Sequence, residues 1–305
     1  MSQAPGTTVI LSGASGVVGS ALRHALAARG TPMRRLLRGA PQQADEVTWN
    51  PEATTPFAST EALEGARAAI HLSGANIAGA RWTSTYKHEL AASRVDSTHA
   101  LATTLARLEH RPEVLVVASA VGFYGNRGGE VLDEFSPPGK GFLPELCQLW
   151  EEAAHPAAER GIRVVHTRFS VLLNRGPGAL AKLLPVFRAG LGGPLGSGHQ
   201  WMSWVGVEDA IAAILFALET PQLAGPVNVT SPNPVRNAEF TRTLARLLHR
   251  PAVIPMPAFV LRAAFGQMAD EALLASARVM PTKLAQAGFR FQHPTLEEAL
   301  AAALR

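Results

Sequence analysis

One cysteine, Cys147, stands in 305 residues. No disulfide can close within the chain, and no cysteine cluster can hold zinc. That usage suits a reducing compartment. Charge is sparse too. Asp, Glu, Lys and Arg make up 17% of the residues against 47% hydrophobic ones. This is the balance of a well-cored chain rather than a disordered one. Lysine occurs only at Lys87, Lys140, Lys182 and Lys283, so arginine carries the formal net charge of +4. No basic run is interleaved with aromatics, which argues against nucleic-acid binding. The ten histidines show no HExxH or paired-ligand spacing, so no metal is expected. No apolar run reaches membrane-spanning length. The N-terminus lacks a charged segment leading into an apolar one. The expected setting is cytoplasmic, away from membranes. Tyrosine is confined to Tyr86 and Tyr124. There is no internal repeat and no low-complexity tract.

Against these absences stands a glycine turn near the N-terminus. Val9-Ile10-Leu11-Ser12 is a short apolar strand, and Ala21 to Leu26 reads as an amphipathic helix. Between them lies Gly13-Ala14-Ser15-Gly16-Val17-Val18-Gly19, with glycine at the first, fourth and seventh places. A strand-turn-helix of this kind leaves backbone N–H groups free at a helix N-terminus, where the dipole favours an anion. Gly13 permits the tight turn, Gly16 lets backbone approach a pyrophosphate, and Gly19 lets helix pack on strand. The spacing is the shifted GxxGxxG form of the dinucleotide fingerprint. A glycine-rich turn without a ligand is the plainer alternative.

The second strand, Pro32 to Leu37, bears on which dinucleotide binds. An NAD site usually places Asp or Glu about 20 residues beyond the glycines, for the ribose 2′-hydroxyl. This chain has Arg38 followed by Gly39. A guanidinium fits a 2′-phosphate as a bidentate, charge-assisted partner. NADP(H) is therefore expected as the cofactor, the alternative being an arginine that merely faces water.

Strand and helix signals then alternate. Ala68 to Leu72, Glu113 to Ala118 and Ile162 to Thr167 read as strands. Helical patterns run from about Ser84 to Leu108 and from Leu146 to Glu159. Continuous apolar strands separated by helices indicate a parallel sheet covered on both faces. The expected fold class is α/β, a Rossmann-like doubly wound sheet with a smaller, mostly helical C-terminal substrate or cap region. Ligands sit beyond the carboxyl ends of such strands. Gly13, Arg38, Ser73, Ser119 and Arg168 all follow strand ends and should face one cleft. The expected division is a nucleotide-binding domain over 1–172, with sheet contributions to about 230. Substrate-side loops and helices over 173–249 and a tail domain over 250–305 complete it. Leu191 to Gly198 reads as a flexible segment suited to a lid. A small-molecule substrate and a monomer or homodimer are expected.

Several segments, taken in order, resemble a known family. They are GASGVVG, Ser73-Gly74-Ala75-Asn76, Arg81-Trp82-Thr83 with Tyr86-Lys87, and Ser93-Arg94-Val95. Ser119-Ala120 with Phe123-Tyr124-Gly125 and Leu191-Gly192-Gly193-Pro194 complete the set. Together they resemble the atypical, sugar-epimerase-like branch of the short-chain dehydrogenase/reductase superfamily. That branch ends in a C-terminal domain of unknown function, which the residues from about 250 resemble. The resemblance implies NADP(H) contacts from the glycine turn, including Ser15, Gly16, Val17 and Val18. It further implies contacts from Leu37, Arg38, Leu72, Ser73, Glu89, Arg94 and Leu172. Gly74, in the loop after the Ala68–Leu72 strand, and Arg168, after the Ile162–Thr167 strand, are expected to join them. Lys87 and Arg94 are two helical turns apart and share a face, which is either a phosphate-facing pair or a solvated surface. Trp82, Tyr86 and Leu90 follow a helical stripe that reads as packing.

In relatives with dehydrogenase chemistry, a Ser or Thr ends the fifth strand and a Tyr-x-x-x-Lys follows on the next helix. The tyrosine acts as general acid/base and the lysine lowers its pKa. Ser119 matches the first element, and Tyr124 matches a tyrosine often seen just beyond that strand. The Tyr-x-x-x-Lys is absent, with Leu143 and Cys147 near its two places. Three options stay open. Tyr124 with Ser119 donates the proton, Glu145 or Lys140 serves instead, or the chain binds cofactor without turnover. Gln200, Trp201, Ser203 and Trp204 form a further cluster, with Trp201 and Trp204 suited to stacking on a substrate. Asp209 reads as a first-turn charge, and Cys147 as a small buried apolar residue.

Overall fold

The computed structural model describes residues 6–305. Seven strands build its main sheet: β1 (Val9–Ser12), β2 (Met33–Leu37), β3 (Glu46–Thr48), β4 (Ala68–His71), β5 (Val114–Ala120), β6 (Arg163–Phe169) and β7 (Gly225–Val229). Their order is β7-β6-β5-β4-β1-β2-β3. Every neighbouring pair is parallel. The chain runs outward from β1 to β3 and then returns to β4 on the other side. In sheets of this kind ligands bind beyond the carboxyl ends of the strands at such a reversal. This is the Rossmann-like, doubly wound arrangement expected from the sequence.

Helices cover both faces. On one face α1 (Val17–Ala28) and α7 (Val207–Glu219) pack on Val9, Leu11, Ile70 and Val116. On the other, α3 (Val95–Arg107), α4 (Phe142–Glu152) and α5 (His155–Ala158) pack on Ile10, Ala69, Leu115 and Val117. Successive strand residues point to opposite faces, so a sheet buried twice over needs the unbroken apolar runs seen in β1, β4 and β5.

The sequence predicts one long helix from Ser84 to Leu108. Instead, α2 (Ser84–Ala92) and α3 are separated at Ser93-Arg94. Side-chain bonds compete with the helix there. Ser93 Oγ donates to Leu90 O at 3.2 Å and accepts from Ala75 N–H at 3.0 Å. Ser97 Oγ donates to Ser93 O at 2.7 Å.

A third core lies outside the sheet. It joins Trp204, Phe240, Leu244, Leu296 and Leu300. Around it run α6 (Ala179–Arg188), α8 (Asn237–Leu248) and α11 (Leu296–Leu304), while α10 (Thr282–Gln286) packs through Leu284 on the sheet, and α9 (Ala258–Phe265) lies between α8 and α10 in the chain. The C-terminal stretch is tied into the rest. Arg278-Val279 pairs in parallel with Val131-Leu132. Asp209, 1% exposed, accepts from Gln292 N–H at 2.6 Å and His293 N–H at 3.0 Å. This first-turn acid therefore anchors the tail. The segment from Leu191 to Gly198 is laced to residues 254–256: Met256 N–H donates to Pro194 O at 2.9 Å and Gly196 N–H to Met256 O at 2.8 Å.

Candidate functional site

The glycine turn leads from the carboxyl end of β1 into α1. Gly13 adopts a φ of +71°, and a Cβ there would lie 2.6 Å from Leu72 C and 2.8 Å from Ser73 N. The turn and the loop after β4 thus touch backbone to backbone. A Cβ at Gly19 would overlap the Gly13 carbonyl. Gly16 caps α1 without any side-chain hydrogen bond, and no acidic residue stands in the first turn. Ser15 and Gly16 are exposed, and Val17 and Val18 are half-buried. The open N–H groups and the positive end of the dipole fit a diphosphate. Ala14, Val18, Leu72 and Leu172 converge as half-buried residues around one core cluster. The elements expected to line the cofactor are therefore neighbours.

Two arginines, one in β2 and one just beyond it, divide their work. Arg35 donates to Asp45 through Nε at 2.6 Å and Nη2 at 2.7 Å, and also to Gln43 at 2.7 Å. Arg38 is exposed beyond the strand end and makes no hydrogen bond or ion pair among the described residues. Leu37 before it is half-buried, and its carbonyl accepts from Trp49 N–H at 2.9 Å. The Arg38 guanidinium is therefore free to meet a ligand.

Arg94 binds protein instead. It donates to Ala75 O at 2.8 Å and Leu90 O at 3.1 Å, and lies 5.2 Å from the Trp150 ring centroid. Burial holds its pKa below the usual arginine value. A Cβ at Gly74 would sit 3.3 Å from the Arg94 guanidinium carbon. Arg94 therefore fixes the loop that carries Leu72, Ser73 and Gly74. Lys87 bonds Gln267 Oε1 and lies 5.1 Å from the Phe142 ring centroid. Glu89 is exposed on α2.

At the ends of β5 and β6 a buried polar chain takes over. Ser119 Oγ donates to Glu151 Oε1 at 2.7 Å. Arg168 donates to the same carboxylate through Nε and Nη2, each at 2.7 Å. Arg168 Nη1 donates to Tyr124 Oη at 3.0 Å, and that hydroxyl donates to Asn228 Oδ1 at 2.7 Å. Burial alone would lower the Arg168 pKa, but the bonds to Glu151 and its charge raise it. Tyr124 is 0% exposed, and burial pushes its phenol up to about 12. Farther in, Glu134 Oε1 accepts from Asn228 N–H at 3.0 Å and Lys283 N–H at 3.2 Å, and burial raises its carboxyl pKa.

The places where relatives carry Tyr-x-x-x-Lys are apolar. Leu143 packs with Leu146, Trp82 and Met268. Cys147 is 3% exposed, with its thiol pushed up to about 12 by burial. Its S–H points at Ala120 O, 3.7 Å away, as suits a small core residue. Lys140 and Glu145 are exposed. Trp204 is 0% exposed in the third core, its Nε1–H donating to Asn233 O at 3.0 Å. Trp201 is half-buried between Arg236 and Arg278. The structure thus places the two tryptophans apart from the chain joining Ser119 to Tyr124. Among the described residues, no group of three or more His, Cys, Asp and Glu could hold a metal ion. No helix there is long and apolar enough to cross a membrane.

Sequence reasoning missed Glu151 and Asn228, which complete the polar chain. The one available signal was Glu151 on α4, one helical turn beyond Cys147.

The profile of the NAD dependent epimerase/dehydratase family matches residues 9–230. A domain of unknown function, DUF1731, matches residues 256–303. The epimerase family protein Mb2239 of Mycobacterium bovis is 44% identical over 96% of this chain and 96% of its own. A homolog of the epimerase family protein SDR39U1 from Arabidopsis thaliana, termed chloroplastic, is 36% identical over 98% of this chain and 87% of its own. The crystal structure of human SDR39U1 (isoform 2) with NADPH superposes with a TM-score of 0.89 at 33% identity, covering 97% of this chain and 99% of that one. With the motifs, the sheet order and these matches together, the chain belongs to the NAD dependent epimerase/dehydratase family.

Proposed function

We propose that this protein binds NADP(H) and acts as an oxidoreductase or epimerase-like enzyme on a nucleotide-sugar-like or other small carbonyl substrate. The observation that carries the reading is a pairing. An uncapped, acid-free N-terminus of α1 stands on the same side of the sheet as a strand-end arginine, Arg38, with no partner of its own. The NADPH of the human relative supports the phosphorylated form. Bound there, the nicotinamide would supply hydride transfer.

The proton must then be handled without a Tyr-x-x-x-Lys. Ser119 has committed its hydrogen to Glu151, so its oxygen offers lone pairs to a substrate hydroxyl. When that hydroxyl is oxidised, its proton passes to Ser119 Oγ as the serine proton moves to Glu151 Oε1. Reduction of a carbonyl runs the same relay backwards. Tyr124, with its phenol pushed up to about 12 and both its bonds inside the protein, holds Arg168 and Asn228 in place.

A second reading is NADP(H) binding without turnover, as in a sensor or scaffold. Leu143 and Cys147, at the places of the usual acid and its helper, favour it. NADPH consumption across sugars, quinones and aldehydes separates the two. The enzyme reading expects consumption that Ser119→Ala lowers by about 10²–10⁴-fold, the usual worth of positioned proton transfer. Tight NADPH binding with no consumption of any substrate would establish the second reading.

A further inference from the structure

Trp201, Arg236 and Arg278 stand together on a face outside the buried polar chain. Strand residues alternate between faces. Val279 and Leu132 are wholly buried in the cluster of Tyr124 and Cys147. Their neighbours Arg278 and Val131, which pair in register, therefore point the other way, and Val131 is 54% exposed. Met202 and Val235 likewise pair in register and pack on the third core. Trp201 and Arg236, also in register, face away from that core. Ala277 N–H donates to Trp201 O at 3.2 Å and joins the two ribbons.

The guanidinium carbons lie 4.8 Å (Arg236) and 4.4 Å (Arg278) from the Trp201 ring centroid. Among the described residues neither arginine has a carboxylate partner, and the nearby Arg127 is already paired with Glu130. Arg236 donates only to His199 O. Arg278 Nε is buried with no hydrogen-bond partner. The indole N–H of Trp201 also lacks one, and beside it stands Gly129, which adds no side chain. Two cations and a free N–H around one ring leave unspent donors and uncompensated charge.

We propose that this face binds a small oxyanion carrying about two to three negative charges at neutral pH, such as a phosphate monoester or a pyrophosphate. Arg236 and Arg278 would each offer a planar fork to its oxygens, with the Trp201 N–H as a further donor. The site is separate from the glycine turn and does not depend on the cofactor reading.

Calorimetric titration of phenyl phosphate, and separately of pyrophosphate, into the full-length protein saturated with NADP+ tests it, because the glycine turn is then filled. If NADP+ proves not to bind, the same titration on the bare protein still decides, through the variants. The expected result is one-to-one binding that Arg236→Gln and Arg278→Gln each weaken about tenfold or more, the loss of one charge-assisted hydrogen bond. Trp201→Phe, which keeps the ring and loses the N–H, should weaken it by a few-fold. Arg236 is exposed, so its variant should keep the wild-type melting temperature and remain informative if Arg278→Gln folds poorly. No heat from either probe, or heat unchanged in both arginine variants, overturns the proposal.

Discussion

Arg168 grips Glu151 in a fork of two hydrogen bonds, each 2.7 Å long, with side chains only 3% and 12% exposed. Ser119 rests on the same carboxylate. One buried pair thereby ties the end of β5 to the end of β6 and to α4. Removing one partner leaves an unmatched charge inside the protein. Glu151→Ala should therefore lower stability by about 3–5 kcal/mol, whereas replacing both partners by apolar residues of similar size should recover most of that loss. Chemical denaturation of the single and double variants checks this. A double variant as unstable as the single one would count against the pairing.

Tyr124→Phe separates support from catalysis. It strips Asn228 Oδ1 and Arg168 Nη1 of a partner. A loss of about 1–3 kcal/mol is expected for buried groups left unsatisfied, with turnover retained. Full stability together with abolished turnover would return the proton-donor role to Tyr124.

Gly19→Ala probes the turn. The added Cβ meets the Gly13 carbonyl, which is backbone and cannot swing aside. About 1–3 kcal/mol of overpacking strain is expected, together with weakened NADPH binding. Gly39→Ala is the control, because its Cβ would meet only Leu37 Cδ1, at 3.8 Å. Thermal melts with and without NADPH read both.

His71 gives the fold a pH dependence. Its ring bonds Ser12 Oγ at 2.6 Å and Ser97 Oγ at 3.0 Å, and burial pushes its pKa down to about 3. Below its ordinary value of 6.5 the unfolded chain takes up a proton that the folded chain refuses. Stability is thus fully present above that value and falls with pH down to about 3. The slope is roughly 1.4 kcal/mol per pH unit. His71→Gln should flatten this dependence by about one proton in denaturation series from pH 7 to 4. An unchanged slope would place the titration elsewhere.

How much of this was legible depends on how local each signal is. β1, β4 and β5 announce themselves because a strand buried on both faces must be largely apolar, and β6 shows in the shorter apolar stretch around Val164-Val165. β3, only Glu46–Thr48 at the sheet edge, carries no such run and went unread. The glycine turn was legible because its backbone demands are met by consecutive residues. The polar chain was not. Ser119 meets Glu151 across 32 positions and Tyr124 meets Asn228 across 104, separations that no periodicity encodes. Trp201 and Trp204, close in sequence, diverge because they belong to separate ribbons, Trp201 pairing with Arg236 and Trp204 with Val171.

The most direct test of the account is calorimetry of nucleotide-free protein with NADPH and NADH. The account predicts one-to-one binding of NADPH, tighter than NADH. Arg38→Ala should cost NADPH about tenfold or more, the worth of a lost charge-assisted hydrogen bond, and leave NADH nearly unchanged. Equal losses for both would remove the role of Arg38. No heat with either nucleotide would contradict the claim that the turn at Gly13 to Gly19 holds the cofactor.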